Sequence, residues 1–309
     1  MRSNSTMTAS APRCFGPRVL GIANALAYCL NALETFGVGP FSHAFSSDQD
    51  NASISQKYQT IITPNGVAFS IWGVIFLGEA ACVSSTLFSE RCRTHPLIVV
   101  GVSYWFVAVC LAQTAWSPAF AYEMIPLSAA FMSCILLALM AIVVRQYNVV
   151  TKALELETTN ALVPKGGYWL LQFPFELHLG WIIAAFTLNL NILAVAGGGD
   201  AKAQEIAAFV SLVMLTIVSV ACLWLLKRPQ YTIPSVAAWA TFWMGVELRN
   251  PKSSITETFT EESIRSFMLL TFSLSGILAS VTVVRWVCHR HSRTSTGDDG
   301  VAKGESLLS

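Results

Sequence analysis

The chain has 309 residues, 54% of them hydrophobic and 12% charged, with a mean hydropathy of +0.56 and a net charge of +1. A soluble domain carries about 25% charged residues, so half that share combined with long apolar runs describes an integral membrane protein. The near-zero net charge gives no electrostatic case for a nucleic-acid partner. The eight cysteines form no CxxC pair and no set with His at metal spacing, so they read as small buried hydrophobes, with neither a disulfide framework nor a metal site.

Residues 1–17 are polar, rich in Ser, Thr, Pro and Arg, and free of acids. They fit a cytosolic tail or an organelle-targeting segment. The first apolar run, 18–38, is interrupted by Asn24, Asn31 and Glu34, and it reads as a retained helix in preference to a cleaved signal. Seven further runs fit a membrane span of ~20 residues: 66–88, 97–116, 124–145, 169–195, 204–226, 233–248 and 266–288. The expected fold is therefore an all-α polytopic bundle of about eight transmembrane helices. It divides into an N-terminal tail (1–17), a five-helix bundle (18–195), three additional helices (196–288) and a polar, disordered C-terminal tail (289–309). Gly197-Gly198-Gly199 reads as a turn between helices.

Eight spans place both termini on one side. On that assignment the terminal side holds 14 of the Lys and Arg residues and the other side holds five. Positive residues collect on the cytosolic side, so both termini are expected to be cytosolic, in a membrane the sequence does not specify. Loop 39–64 then lies outside, and Asn51-Ala52-Ser53 within it is a glycosylation sequon at Asn51.

A Pro64-Asn65-Gly66 turn opens the second span, with Trp72 inside it. At ~1.5 Å rise per residue, Trp72 lies ~10 Å and Trp181 ~16 Å below the outer boundary, while Trp116 lies at it. All three fall in the outer half and fit one cavity. Gln113 shares the helical face of Trp116, His178 that of Trp181, and Glu79 that of Trp72. Glu79, Glu176 and His178 fall at similar depth, and intramembrane ionisable groups are costly unless paired or functional. A Glu79–His178 pair at the pocket floor is the arrangement to look for. Trp105, Trp224 and Trp239 read as facing lipid or neighbouring helices, and Trp169, Trp243 and Trp286 as interfacial.

Together these residues resemble the translocator protein / tryptophan-rich sensory protein family. Pro64 and Trp72, with Phe76 four residues on, match the start of the family's second helix. Gln113, Trp116, Pro118 and Phe120 match its third-helix signature, where Asn usually stands at Gln113. Trp181 and Asn189 match the fifth. The match covers residues 18–195, and the whole chain looks like a longer, eight-helix branch. The resemblance implies a compact bundle that binds tetrapyrroles and, in animals, cholesterol and drug-like ligands. Three departures stand out. Asn65-Gly66 replaces the segment that usually carries a lid Trp, Leu177-His178 replaces a Pro-Tyr pair, and no Tyr follows Asn189 before Tyr231, so the cholesterol pattern is absent there. A pattern of that type occurs at Val143, Tyr147 and Lys152 instead.

The resulting expectation is a membrane ligand-binding or sensory protein. Its aromatic pocket would be formed by Pro64, Trp72, Gln113, Trp116, Trp181, Asn189, Glu79 and His178, and would take a flat apolar ligand such as a tetrapyrrole. No cofactor is required, and the expected partners are the small ligand, membrane lipid and, in an oligomer, further copies of the chain. The alternative is a secondary transporter using buried Glu79 and His178. No nucleophile–base set, metal cluster or phosphate loop indicates an enzyme.

Overall fold

The computed structural model describes residues 16–36, 54, 57–155 and 167–305, with side chains to 291. The Asn51 sequon and most of the N-terminal tail lie outside these residues. The described chain is helical throughout, without a strand. Its long helices are α1 (Pro17–Thr35), α2 (Ile71–Phe88), α3 (Trp105–Ala121), α4 (Ile125–Glu155), α5 (Phe173–Ala196), α6 (Ala201–Val220), α7 (Thr232–Glu247) and α8 (Glu261–Glu305).

Local chemistry accounts for where these helices begin. A Pro in the first turn starts α1, where a missing backbone N–H costs nothing. The Asp200 side chain caps α6 by accepting from the Ala203 N–H at 2.8 Å, directly after the glycine turn, where Gly198 adopts φ 74°. Asn65 caps a single 3-10 turn, Gly66–Ser70, that leads into α2. The span expected at 97–116 differs. It opens as a π turn, Leu97–Val102, and breaks at Ser103 (φ 48°) before α3 begins. Side chains from neighbouring helices take up the carbonyls freed there. Asn24 donates to Ser103 O, Arg145 to Val100 O and Gln146 to Leu97 O, and Gln146 also donates to Leu171 O of the short helix ahead of α5. Gly101 permits this approach, since a Cβ on it would lie 2.5 Å from Gln146 Cγ.

Five helical segments are long and apolar enough to cross a membrane: Gly66–Phe88, Ile125–Glu155, Phe173–Ala196, Ala201–Leu225 and Glu261–His291. Trp105–Ala121 is apolar but shorter. The other two expected spans are present as helices of a different kind. Helix α1 carries buried Asn24 and Asn31. Helix α7 has only 16 residues, 11 of them buried, so it is surrounded by protein and does not need a full lipid-facing length. Beyond residue 288, where a disordered tail was expected, the backbone of α8 stays helical to Glu305, because extending an existing helix avoids the cost of a new nucleus.

The main contacts of α1 to α5 close a ring in the order α1, α2, α5, α4, α3 and back to α1. Helix α5 is also the centre of the molecule, with 15 of its 24 residues buried. Its far side packs on α6 and α7, and α8 covers α7. Gly180 allows the close α5–α7 crossing, since a Cβ there would lie 3.0 Å from Val236 Cβ.

Helix α7 also holds the turn ahead of α2. Trp243 O accepts from the Asn65 N–H at 3.0 Å. Glu247 accepts from the Asn65 side chain at 2.8 Å and from Gln59 at 3.1 Å, with the Lys252 ammonium 3.5 Å away. Trp239 Nε1 donates to Ala68 O at 3.2 Å. Trp243, expected at the interface, instead packs on Trp239 and the inner core. Segment 57–58 is tied to the α3–α4 turn, where Glu123 accepts from Lys57 and from the Tyr58 hydroxyl.

Two outcomes follow. Glu247→Ala removes a carboxylate that accepts from the buried Gln59 amide and the half-buried Asn65 amide, and it should lower stability by about 2 kcal/mol, read from unfolding in detergent. Glu123 is held below the usual carboxylate pKa of 4.5 by its bond from Lys57 and then by that from Tyr58. Its contribution is complete above pH 4.5 and is lost as pH falls through its lower folded-state value. Hydrogen-exchange protection factors at residues 57–60, corrected for the intrinsic pH dependence of exchange, should therefore fall on acidification, and Glu123→Gln should abolish that fall.

Candidate functional site

The inner face of α2 presents Trp72, Phe76 and Glu79, at the four- and three-residue spacings that stack side chains on one side of a helix. Helix α5 meets it with His178 and Trp181. His178 Nδ1 lies 2.7 Å from Glu79 Oε1, and both residues are 1% exposed. Trp72 packs edge to face against His178 at 5.4 Å and against Trp181 at 6.4 Å between ring centroids. Phe69 closes on the other edge of Trp181 at 5.5 Å. Such tilted arrangements place a positive ring edge on a negative ring face. Helix α1 completes this level of the bundle. The Tyr28 hydroxyl donates to Phe76 O at 2.9 Å, and Phe36 packs on the Phe76 ring at 4.9 Å.

Trp116 packs on the same large core as Trp72 but its ring partner is Phe120. Its ring stacks on Phe120 at 5.3 Å and 12°, beside an apolar cluster of Ile54, Ile125, Leu188 and Ile192. Asn189 donates to Ala185 O, one turn back on its own helix, at 3.0 Å. Pro64 is buried in the turn that α7 holds, ahead of the aromatic group. The predicted residues thus divide. Trp72, Glu79, His178 and Trp181 meet directly, Trp116 belongs to the Phe120 cluster, and Pro64 positions the helix. Glu176, at a depth similar to Glu79 in the sequence reading, turns toward α7 and accepts from Tyr168 at 2.8 Å and Thr232 at 2.9 Å. Tyr147, from the cholesterol-type pattern, accepts from the Arg228 N–H at 3.0 Å.

The ring of α1 to α5 retains polar capacity that its own side chains do not use. Glu79 Oε2, His178 Nε2, Gln113 Oε1, Trp116 Nε1 and Asn189 Oδ1 are buried without a hydrogen-bond partner among the described residues. On α1 the same holds for Asn24 Oδ1, Asn31 Nδ2 and Glu34 Oε2, although the Glu34 carboxylate also accepts from Ser117. Most buried polar atoms find a partner, and leaving one without costs free energy. These α1 groups were not assigned to the site from sequence. The legible signal was the seven-residue spacing of Asn24 and Asn31, which puts two amides on one helical face of an otherwise apolar span. Chemically the site offers aromatic edges, a carboxylate with one open oxygen, and an imidazole nitrogen that accepts or donates according to its protonation. Among the described residues no group of three His, Cys, Asp or Glu is placed to hold a metal ion.

The family described as TSPO-like protein matches residues 22–283. The match runs through α6, α7 and into α8, past residue 195, where the motif resemblance ends. No curated protein and no solved structure matches the chain.

A double-mutant cycle tests the buried pair. His178→Ala alone leaves Glu79 buried and unpaired and should cost about 3 kcal/mol in detergent unfolding, as breaking a buried pair does. Glu79→Leu with His178→Leu should cost clearly less than the sum of the single changes.

Proposed function

Because this chain belongs to the TSPO-like family of membrane proteins, we propose that it binds a flat apolar ligand with polar edges inside the ring of α1 to α5, a tetrapyrrole being the favoured class. The observation that carries this reading is the set of buried, unpartnered polar atoms on α1, α2, α3 and α5. A ligand with an apolar face and hydrogen-bonding edges supplies partners for Glu79 Oε2 and His178 Nε2 and lays its rings against Trp72 and Trp181. Trp181 is 2% exposed and touches Trp72, so binding must part these two rings. Signal and binding are then the same event, since a movement of α2 relative to α5 accompanies occupancy. The reading also keeps both termini on the cytosolic side, following the distribution of basic residues.

A transporter is the second reading, favoured by one observation, the Glu79–His178 pair sealed at 1% exposure. Uptake of protoporphyrin into proteoliposomes that is abolished by Glu79→Gln would select it over binding alone.

The binding reading is tested by titrating the purified full chain with protoporphyrin and following tryptophan fluorescence. Trp72→Leu should weaken affinity by about 3- to 10-fold, the worth of one aromatic pairing, and Trp72→Phe should restore most of it. Equal affinity in wild type and Trp72→Leu would remove the site from α2.

A further inference from the structure

The open hydrogen-bonding capacity of the α1–α5 ring has a sign. Glu34 Oε2, Glu79 Oε2, Gln113 Oε1 and Asn189 Oδ1 are buried acceptors without a donor among the described residues. The surroundings of Asn189 fix its amide. Its Nδ2 donates to Ala185 O, and a carbonyl only accepts, so the atom left over is the oxygen. The open donors are Asn31 Nδ2 and Trp116 Nε1, and neither carries a charge. Thr114 Oγ1 and His178 Nε2 serve in either sense.

The same ring is poor in fixed positive charge. Residues 19–88, 94–144 and 166–201 include α2, α3, α5 and nearly all of α1, and they contain one Lys and no Arg. That residue is Lys57, which pairs with Glu123. Glu79 meets His178, whereas Glu34 meets the Ser117 hydroxyl, a neutral donor. A carboxylate inside a membrane is costly unless a cation answers it. Glu34 stands between Tyr28 and Phe36, the two α1 residues whose rings meet Phe76, and Trp72 packs on Phe76 at 5.9 Å. Aromatic faces near a carboxylate are surroundings that attract organic cations.

We propose that the ligand of this ring carries a positively charged nitrogen, a protonated amine or amidinium on a flat apolar body. Glu34 pairs with that nitrogen, and Trp72 and Phe76 pack on the body. This rests on the reading that a flat ligand enters the ring, and it adds the ligand's charge. In a tetrapyrrole the carboxylate arms then stay outside the ring, since the same oxygens repel them.

The test uses the purified full chain in detergent and two probes with the same three fused rings: 9-aminoacridine, a cation at neutral pH, and acridine, which is uncharged there. Binding is measured by equilibrium dialysis at neutral pH, with protein-free micelles as the reference. The wild type should bind 9-aminoacridine at least about tenfold more tightly than acridine, the low end of what a close charge pair contributes. Glu34→Gln keeps the shape of the side chain, and it should remove that preference while leaving acridine binding unchanged. Glu34→Asp should keep part of the preference. Gel filtration and helical circular dichroism should be unchanged in both variants. Equal affinity of the wild type for the two probes overturns the proposal without recourse to a variant. A preference that survives Glu34→Gln overturns the role of Glu34. Protoporphyrin separates this proposal from the reading beneath it. If protoporphyrin binds but does not displace 9-aminoacridine, or binds while the cation does not, the ring remains a ligand site and the cation proposal fails alone. If none of the three binds, both fail.

Discussion

Helix α5 is buried on two faces at once, and the positions of the other helices follow from that. One face sends Phe175, Leu179 and Ile182 into a core shared with Ile135, Leu139 and Phe106. The other sends Leu177, Trp181 and Ala184 into a core shared with Leu212, Val236 and Ala240. A helix clad this way must be apolar nearly all round, and α5 is. The consequence reaches the aromatic group. Trp181 belongs to the core built with α6 and α7, while His178, one turn away, reaches across to Glu79 of α2. The last three helices therefore set the wall of the aromatic site and also clamp the turn that starts α2. They are part of the same mechanical unit as the first five.

Three buried carboxylates show how differently one chemical group is used in this fold. Glu247 receives donors on both oxygens, from Gln59 and from Asn65, and it joins two segments far apart in sequence. Glu176 receives two hydroxyl donors on a single oxygen. Glu79 receives one partner, His178, and leaves an oxygen bare. Where water is scarce, an unmatched oxygen costs more than the typical net gain from a hydrogen bond. The first two carboxylates are accounted for by structure alone. The third leaves Oε2 without a donor among the described residues, as does Nε2 of its imidazole partner.

Residue spacing made part of this legible in advance. Seven residues separate Trp72 from Glu79 and three separate His178 from Trp181, and helical geometry turns those spacings into two faces able to meet. The glycine turn before α6 was equally plain. What stayed hidden was set by distant partners. Asn65 looked like the loss of a lid residue, yet it caps a turn and bonds Glu247, 182 positions away, which local sequence does not encode. The π turn at Leu97–Val102 has an apolar pattern indistinguishable from an α-helix, and it persists because Arg145 and Gln146 on another helix satisfy its carbonyls. Trp243 looked interfacial because its ring is amphipathic, but the interaction with α2 draws it inward. The family motifs all lie in α1 to α5, so a reading tied to them ended near 195, whereas the family match continues to 283.

Helix α2 is a common wall of the aromatic group and of the apolar groove lined by Ile71, Val74, Val236 and Trp239. At ~100° per residue, Trp72, Phe76 and Glu79 fall within a narrow arc, while Ile71 and Val74 lie well away from it on the groove side. Substitutions on one arc leave the other arc's side chains in place, so the two faces are separable by mutation. The backbone is not separable in that way. A rigid shift of α2 that parted Trp72 from Trp181 would carry Ile71 and Val74 with it, toward or away from α7. A displacement of α2 at its aromatic face is therefore also a displacement at the groove.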